Sequence, residues 1–317
     1  MFAGSPSVQA KDASTTSAMG VSDVARQAQA GVFHYKLGRA RVTALSDGSV
    51  PQDLHDLLRG ATPAETDKLL QEGFRTNPVE ASINAYLIEL DGRLMLVDTG
   101  AGDLFGPGLG GRLVARLAAI GVAPTQITDV LLTHMHTDHS GGLTLQGRRV
   151  FPDATVHVGQ ADVDFFLAQA NQGGIEGYDK AYFDQATASL APYLAAGRIR
   201  GFRDEAMILP GVTAIPTPGH TPGHAFYRVE SEGQAVSFIG DLLHVQAVQL
   251  PRPDITIVYD VDPSRARATR VRQLDRLSNG REVIAGAHIP FPGLGQIRRQ
   301  GEGYQFVPVD YMDRGDF

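Results

Sequence analysis

The chain has 317 residues, enough to bury a large core, and an ordinary globular composition of 43% hydrophobic and 20% charged residues. A net charge of −7 argues against a general nucleic-acid binder, which usually turns a basic face to phosphates. Cysteine is absent, so disulfides and thiolate chemistry are excluded and any metal must be held by His, Asp or Glu.

In chain order, residues 1–33 are small, polar and Ser/Thr-rich and read as a flexible N-terminal arm without the hydrophobic core of a signal peptide. No apolar run approaches the roughly 20 residues of a membrane span, so a soluble chain is expected, its compartment open. Residues 41–48 alternate like a strand entering a turn, and 83–90 with 94–100 read as paired strands around Asp91-Gly92. Leu113, Val114, Leu117 and Ile120 recur at helical spacing up to Gly121, ahead of a buried strand at 127–134. A short strand at 155–158 precedes helices within 161–170 and 180–196. Strands at 225–230 and 235–241 follow. A helix over 263–277 is signalled by Asp262 as N-cap, Pro263 at its first position and Asn279-Gly280 as its stop. Strands near 282–288 and 302–309 close the chain. With no repeat and no linker, residues 34–317 are expected to form a single α/β domain with two sheets between helices.

The segment THMHTDHSGG, residues 133–142, carries His134, His136, Asp138 and His139 within six loop positions. Three imidazoles and a carboxylate so close repel or desolvate one another without a cation, and such donors suit zinc-like divalent ions. Three later segments, PTPGH, SFIGD and IAGAH, end in His220, Asp241 and His288. Individually these are weaker signals, because a lone His or Asp in a Gly/Pro loop often only caps a turn. Most of the segments follow β-rich runs, which brings the candidates to one edge of the sheets.

This series, HxHxDH, then GH, then GD, then AH, resembles the metallo-β-lactamase superfamily across residues 41–308. The resemblance implies an αββα sandwich in which two mixed β-sheets are flanked by helices. It further implies that His134, His136 and His220 hold one divalent ion, that Asp138, His139 and His288 hold a second, and that Asp241 bridges them. Zinc is the first expectation, and manganese, cobalt or iron suit the same donors. Asp98, in VDTG, supports the site from behind, and His224, in HTPGH, belongs to the supporting loop. Two such ions about 3.5–4 Å apart lower the pKa of a shared water to near 7, giving a bridging hydroxide as nucleophile. On this reading the catalytic group comprises Asp138, Asp241 and His244.

The resemblance narrows to methyl parathion hydrolase and its lactone- and ester-hydrolysing relatives, carried by VTALSDG, THMHTDH, GHTPGH and AHIPFPG among other runs. It implies a small neutral ester, lactone or organophosphate substrate and a homodimer. Phe105, Phe166 and Phe183 fall where that group lines its substrate mouth, with His244, Ile257 and Tyr259 beside the centre; their plain alternative is core packing. A histidine at 244 can donate to a carbonyl oxygen while narrowing space for a tetrahedral triester, which favours carboxylic esters and lactones.

Three rival readings follow from the sequence. Arg265, Arg267, Arg270, Arg272 and Arg276 on one helix would suit a nuclease of the same fold, but such a run is usually a solvated face. A glyoxalase-II-like thioesterase shares all seven ligand types but holds its substrate's carboxylate with a basic C-terminal region that is not identifiable here. A purely structural metal protein is disfavoured because structural zinc is usually a closed four-ligand cage.

Overall fold

The computed structural model describes residues 29–314. Residues 1–28 of the expected arm lie outside them, whereas Val32 and Phe33, at its far end, are already strand, paired with Leu45 and Ala44. Residues 31–314 belong to one compact unit.

Fourteen strands build two seven-stranded sheets. The first contains β1 (Val32–Leu37), β2 (Ala40–Gln52), β3 (Val79–Leu90), β4 (Arg93–Val97), β5 (Asp129–Leu132), β6 (Thr155–Gly159) and β7 (Ile199–Phe202). The second contains β8 (Ala206–Leu209), β9 (Val212–Pro216), β10 (Ala225–Ser231), β11 (Gln234–Phe238), β12 (Val283–Ala285), β13 (Leu294–Gln300) and β14 (Gly303–Pro308). Within each sheet the strands lie in chain order. Hairpins therefore make most neighbours antiparallel, including the expected pairing across Asp91-Gly92. Strands β4 to β7 run parallel, as do β11 and β12, because a helix or long loop intervenes in each connection.

The main helices are α1 (Pro63–Glu72), α2 (Leu113–Ala119), α3 (Gln160–Phe166), α4 (Lys180–Ala195) and α5 (Pro263–Gly280). Alternation along β2 and β3 sends Val42, Ala44, Tyr86 and Ile88 into a core shared with Val212, Tyr227, Val229 and Phe238 of the second sheet. The opposite face of the first sheet, through Leu45, Leu87 and Val130, packs on Leu113 and Leu117 of α2 and on Phe183, Leu190 and Tyr193 of α4. The second sheet's outer face, through Phe226 and Ile297, packs on Leu274 and Leu277 of α5. This is the expected αββα sandwich.

Three expectations are corrected in detail. The helix expected within 161–170 ends at Phe166, where Gln172 Nε2 donates to the freed Phe166 carbonyl at 2.8 Å, and a separate 3₁₀ turn follows at Gln169–Asn171. Helix α5 stops at Gly280 as the Asn279-Gly280 signal indicates, three residues beyond the expected Leu277, but the left-handed cap is Arg281, φ 53°, rather than the glycine. Its arginines do not all face water: Arg265, Arg267, Arg272 and Arg276 are exposed, but Arg270 is buried. Helix α1 escaped the sequence reading although it carries a full capping box, with Thr62 and Glu65 exchanging bonds over Pro63.

Candidate metal centre

The parallel strands set their C-terminal ends along one rim, where ligand sites of such sheets form. His134 and His136 leave β5, and Asp138 and His139 follow on the helical turn Thr137–Ser140. His220 sits between β9 and β10, Asp241 on the turn Gly240–Leu242 after β11, and His288 after β12. Gly240 has φ 46°, and a Cβ there would lie 2.7 Å from His224 Nε2, so the turn that presents Asp241 requires glycine.

Two donor groups result. His134 Nε2 and His220 Nε2 lie 3.0 and 2.9 Å from His136 Nδ1, and Asp241 Oδ2 stands 3.2 Å from His220 Nε2. Across Asp241, Oδ1 lies 3.1 Å from His139 Nε2 and 3.2 Å from His288 Nε2, while Asp138 Oδ2 is 3.4 Å from His288 Nε2. Asp241 thus lies between the groups, Oδ2 toward His220 and Oδ1 toward His139, with His288 Nε2 also 3.3 Å from Oδ2. Among the described residues, His139 Nε2 and Asp241 Oδ1 are buried without a hydrogen-bond partner. Buried orphan atoms and imidazole nitrogens facing one another near 3 Å are what a pair of divalent cations would satisfy, so the donors fit a dinuclear centre.

The far side of each imidazole is held. His220 Nδ1 lies 2.9 Å from Asp260 Oδ1, His139 Nδ1 2.8 Å from Asp98 Oδ2, and His288 Nδ1 2.7 Å from the Ser82 carbonyl. His136 Nε2 meets the Tyr178 hydroxyl, and His134 Nδ1 lies 3.1 Å from Thr133 Oγ1. Asp98, at a positive φ of 58°, also accepts from the Thr133 amide at 2.8 Å. His224 Nε2 accepts from the Asp241 amide at 3.0 Å, which directs it to the backbone. Such outer contacts fix tautomer and ring orientation.

Electrostatics follow from this packing. Burial, then the neighbouring His139, pushes His134 well below the usual histidine range, and burial with His220 does the same to His136. Burial also lowers His224 to about 3. For His220 burial is outweighed by hydrogen bonds to Asp241 and Asp260, raising it to about 9, and Asp241, Asp138 and Asp98 likewise hold His139 high.

The centre opens into a cavity of about 430 Å³. Its floor includes His136, Asp138, Asp241, His244 and His288, and its walls are Val50, Pro51, Phe105, Ala181, Tyr182 and Tyr259, with Gln52, Thr137 and Gln185. Among the described residues no Lys or Arg lines it. Phe105 and Tyr259 take the places the sequence suggested. Phe166, Phe183 and Ile257 do not: each is fully buried, the two phenylalanines in the core beside α4, where Phe166 packs edge-on behind His136 at 5.8 Å, and Ile257 in a separate cluster. His244 Nε2 stands 3.0 Å from Asp241 Oδ2, near enough to form a third donor group with Asp241 and His288. Sequence reasoning missed Tyr178, Tyr182 and Asp260. Asp260 lay in view two residues before the helix cap Asp262, but nothing local marks it as the partner of His220.

Comparison with known proteins agrees with this geometry. The model of the metallo-beta-lactamase superfamily matches residues 79–288. A solved hydrolase of the beta lactamase superfamily, AbOPH, is 33% identical, with a TM-score of 0.84 over 90% of this chain and 100% of that one. AidC, a dizinc quorum-quenching lactonase solved with the product N-hexanoyl-L-homoserine, is 26% identical, with a TM-score of 0.81 over 89% and 99%. A probable metallo-hydrolase of Mycobacterium tuberculosis is 27% identical over 64% of this chain and 73% of its own length. The N-acyl homoserine lactonase AttM of Agrobacterium fabrum is 32% identical over 37% of this chain and 41% of its own. With its sandwich, its rim of His and Asp donors and these relatives, the chain belongs to the metallo-beta-lactamase superfamily and is a metallo-hydrolase of that group.

Proposed function

We propose that residues 34–317 act as one catalytic domain that hydrolyses small neutral esters, lactones foremost, with two zinc ions held by His134, His136, His220 and Asp241 and by Asp138, His139, His288 and Asp241. The observation that carries the reading is the junction of two donor groups, both within reach of Asp241, with a cavity whose walls are largely apolar and aromatic and, among the described residues, free of Lys and Arg. Bound there, the cations supply a nucleophile from water at neutral pH and polarise the scissile carbonyl.

The chain's own residues do the rest. Phe105, Tyr182 and Tyr259 give the acyl or aryl part a wall to pack on and exclude bulk water. His244 stands at the floor beside Asp241, with neither ring nitrogen hydrogen-bonded, so one can donate to the oxygen that gains charge. Asp98, Asp260 and the Ser82 carbonyl keep His139, His220 and His288 turned inward.

The relatives support lactones through AidC and AttM. Organophosphate triesters are the second class, in line with the sequence resemblance, and His244 crowds a tetrahedral centre more than a planar one. Among the described residues no Lys or Arg lines the wall to hold the flanking phosphates of a nucleic acid or the carboxylate of glutathione, which favours a small neutral substrate over the nuclease and thioesterase readings. The test is kcat/KM of zinc-loaded protein, against a chelated control, on an aromatic lactone, an aryl ester, paraoxon and a glutathione thioester. The lactone should lead the triester by about tenfold or more, a barrier difference of roughly 1.4 kcal/mol. A lead for the thioester, or equal rates in the chelated control, overturns the reading.

A further inference from the structure

Four of the five arginines on α5 point to solvent, and the fifth reaches the metal centre. Arg270 is 1% exposed and heads the largest fully buried side chains. A guanidinium stripped of water is tolerated only where its donors are met. Its Nε donates to the Leu242 carbonyl at 2.8 Å, the residue directly after Asp241. Its Nη1 donates to the carbonyls of Ile255 at 2.7 Å and Pro253 at 3.3 Å, and Nη2 stands 3.7 Å from Asp260 Oδ2. The other Asp260 oxygen is the one that holds His220 Nδ1.

One side chain therefore joins the turn carrying Asp241, the segment from Pro253 to Asp260, and the support of His220. The same helix face holds the His220 loop directly. Thr269 Oγ1 donates to the Pro218 carbonyl at 2.8 Å, and Gly219 lies so close that a Cβ there would stand 2.3 Å from the Ala266 amide nitrogen.

We propose that Arg270 is a positioning residue of the metal centre, clamping the Asp241 turn and the Asp260–His220 pair in one fixed arrangement so that both present their donors to the same cation. The inference rests on the reading of His220 and Asp241 as metal ligands. Lysine carries a point charge without the fork and cannot span three carbonyls and a carboxylate, so it replaces the clamp incompletely.

The test compares the full-length wild type with Arg270→Lys, Arg270→Met, Asp260→Asn and the Arg270→Met/Asp260→Asn double variant, each loaded with zinc. Zinc release to a chromogenic chelator is measured, together with the melting temperature of each metal-free protein. Each single change should weaken zinc retention about tenfold to a hundredfold, the usual effect of removing an outer partner of a ligand. The double variant should lose less than the product of the two single effects, because part of each runs through the shared Asp260–His220 pair. Wild-type retention in the Arg270 variants with a lowered metal-free melting temperature makes Arg270 a structural residue only and overturns the proposal, as do single effects that multiply in the double variant. Should Arg270→Met fail to fold, Arg270→Lys decides by the same criteria. A wild type that retains no zinc instead defeats the reading of the centre itself.

Discussion

His244 shows how one side chain can set the balance between reactions. Its ring lies nearly parallel to His288 at 5.4 Å and 6.0 Å from Tyr259. Replacing it with Leu should remove a donor to a carbonyl oxygen and open room for a triester, raising the triester-to-lactone ratio of kcat/KM; a constant or falling ratio takes His244 out of the account. A second residue-scale prediction concerns Asp162, whose carboxylate receives the amides of Met135 and Gly223 and the Thr221 hydroxyl beneath the ligand loops. Burial outweighs these donors and lifts it from 3.8 to about 6. The folded protein then keeps a proton that the unfolded chain has lost, so this stability is present below the unfolded value and declines as pH rises through about 6. The span corresponds to roughly 3 kcal/mol, and urea unfolding of metal-free Asp162→Asn should show its stability gaining on the wild type by up to that amount between about pH 4 and about pH 7. A gap independent of pH contradicts it. The candidate ligands His134, His136, Asp138 and His139 were legible because metal chemistry needs scarce residue types at short spacing, whereas His220, Asp241 and His288 joined them only through the resemblance. Asp162, Asp260 and Tyr178 were not, since only the tertiary fold brings them to the loops they hold.

At the scale of elements, the cavity wall depends on a bulge in β2. The β2–β3 register shifts between Ser46 and Gly48, which turns Asp47 inward. Its carboxylate, fully buried, accepts from the amides of Ala101, Gly111 and Leu113, closing the loop that carries Phe105 onto the start of α2. Asp47→Ala leaves these donors unmet and should cost roughly 2–4 kcal/mol in chemical unfolding, with KM rising more than kcat falls as Phe105 loosens. An unfolding midpoint near that of the wild type would sink this role. Strands and hairpins were readable from their period of two and from Asp91-Gly92. The bulge was not, because SDG in a strand looks like the end of one: residues 41–48 alternate like a strand entering a turn, whereas β2 runs on to Gln52. Residues 54–72 escaped for a related reason: Leu54, Leu58 and Leu70 bury against Val245, Val248 and Ile255, a satellite cluster made by distant partners.

For the whole molecule, two sheets in chain order place seven candidate ligands from four segments on one rim, which is why the order of motifs along the chain foretold the fold. No helix among the described residues is long and apolar enough to cross a membrane. The charge state of the centre adds a prediction. Without metal His220 sits at about 9 and His139 is held high, so at neutral pH both carry protons that a cation must displace. Metal uptake should therefore release protons, and affinity should fall as pH drops below about 9, by calorimetry in buffers of different ionisation enthalpy; uptake with no proton release runs against it. The most direct measurement is the number of metal ions per chain in purified protein, by elemental analysis, followed through chelation and re-addition alongside lactone hydrolysis. Two ions per chain, with activity lost on removal and regained as the second ion returns, is the predicted result. A single ion per chain at full activity, or hydrolysis that persists in metal-free protein, contradicts the dinuclear account.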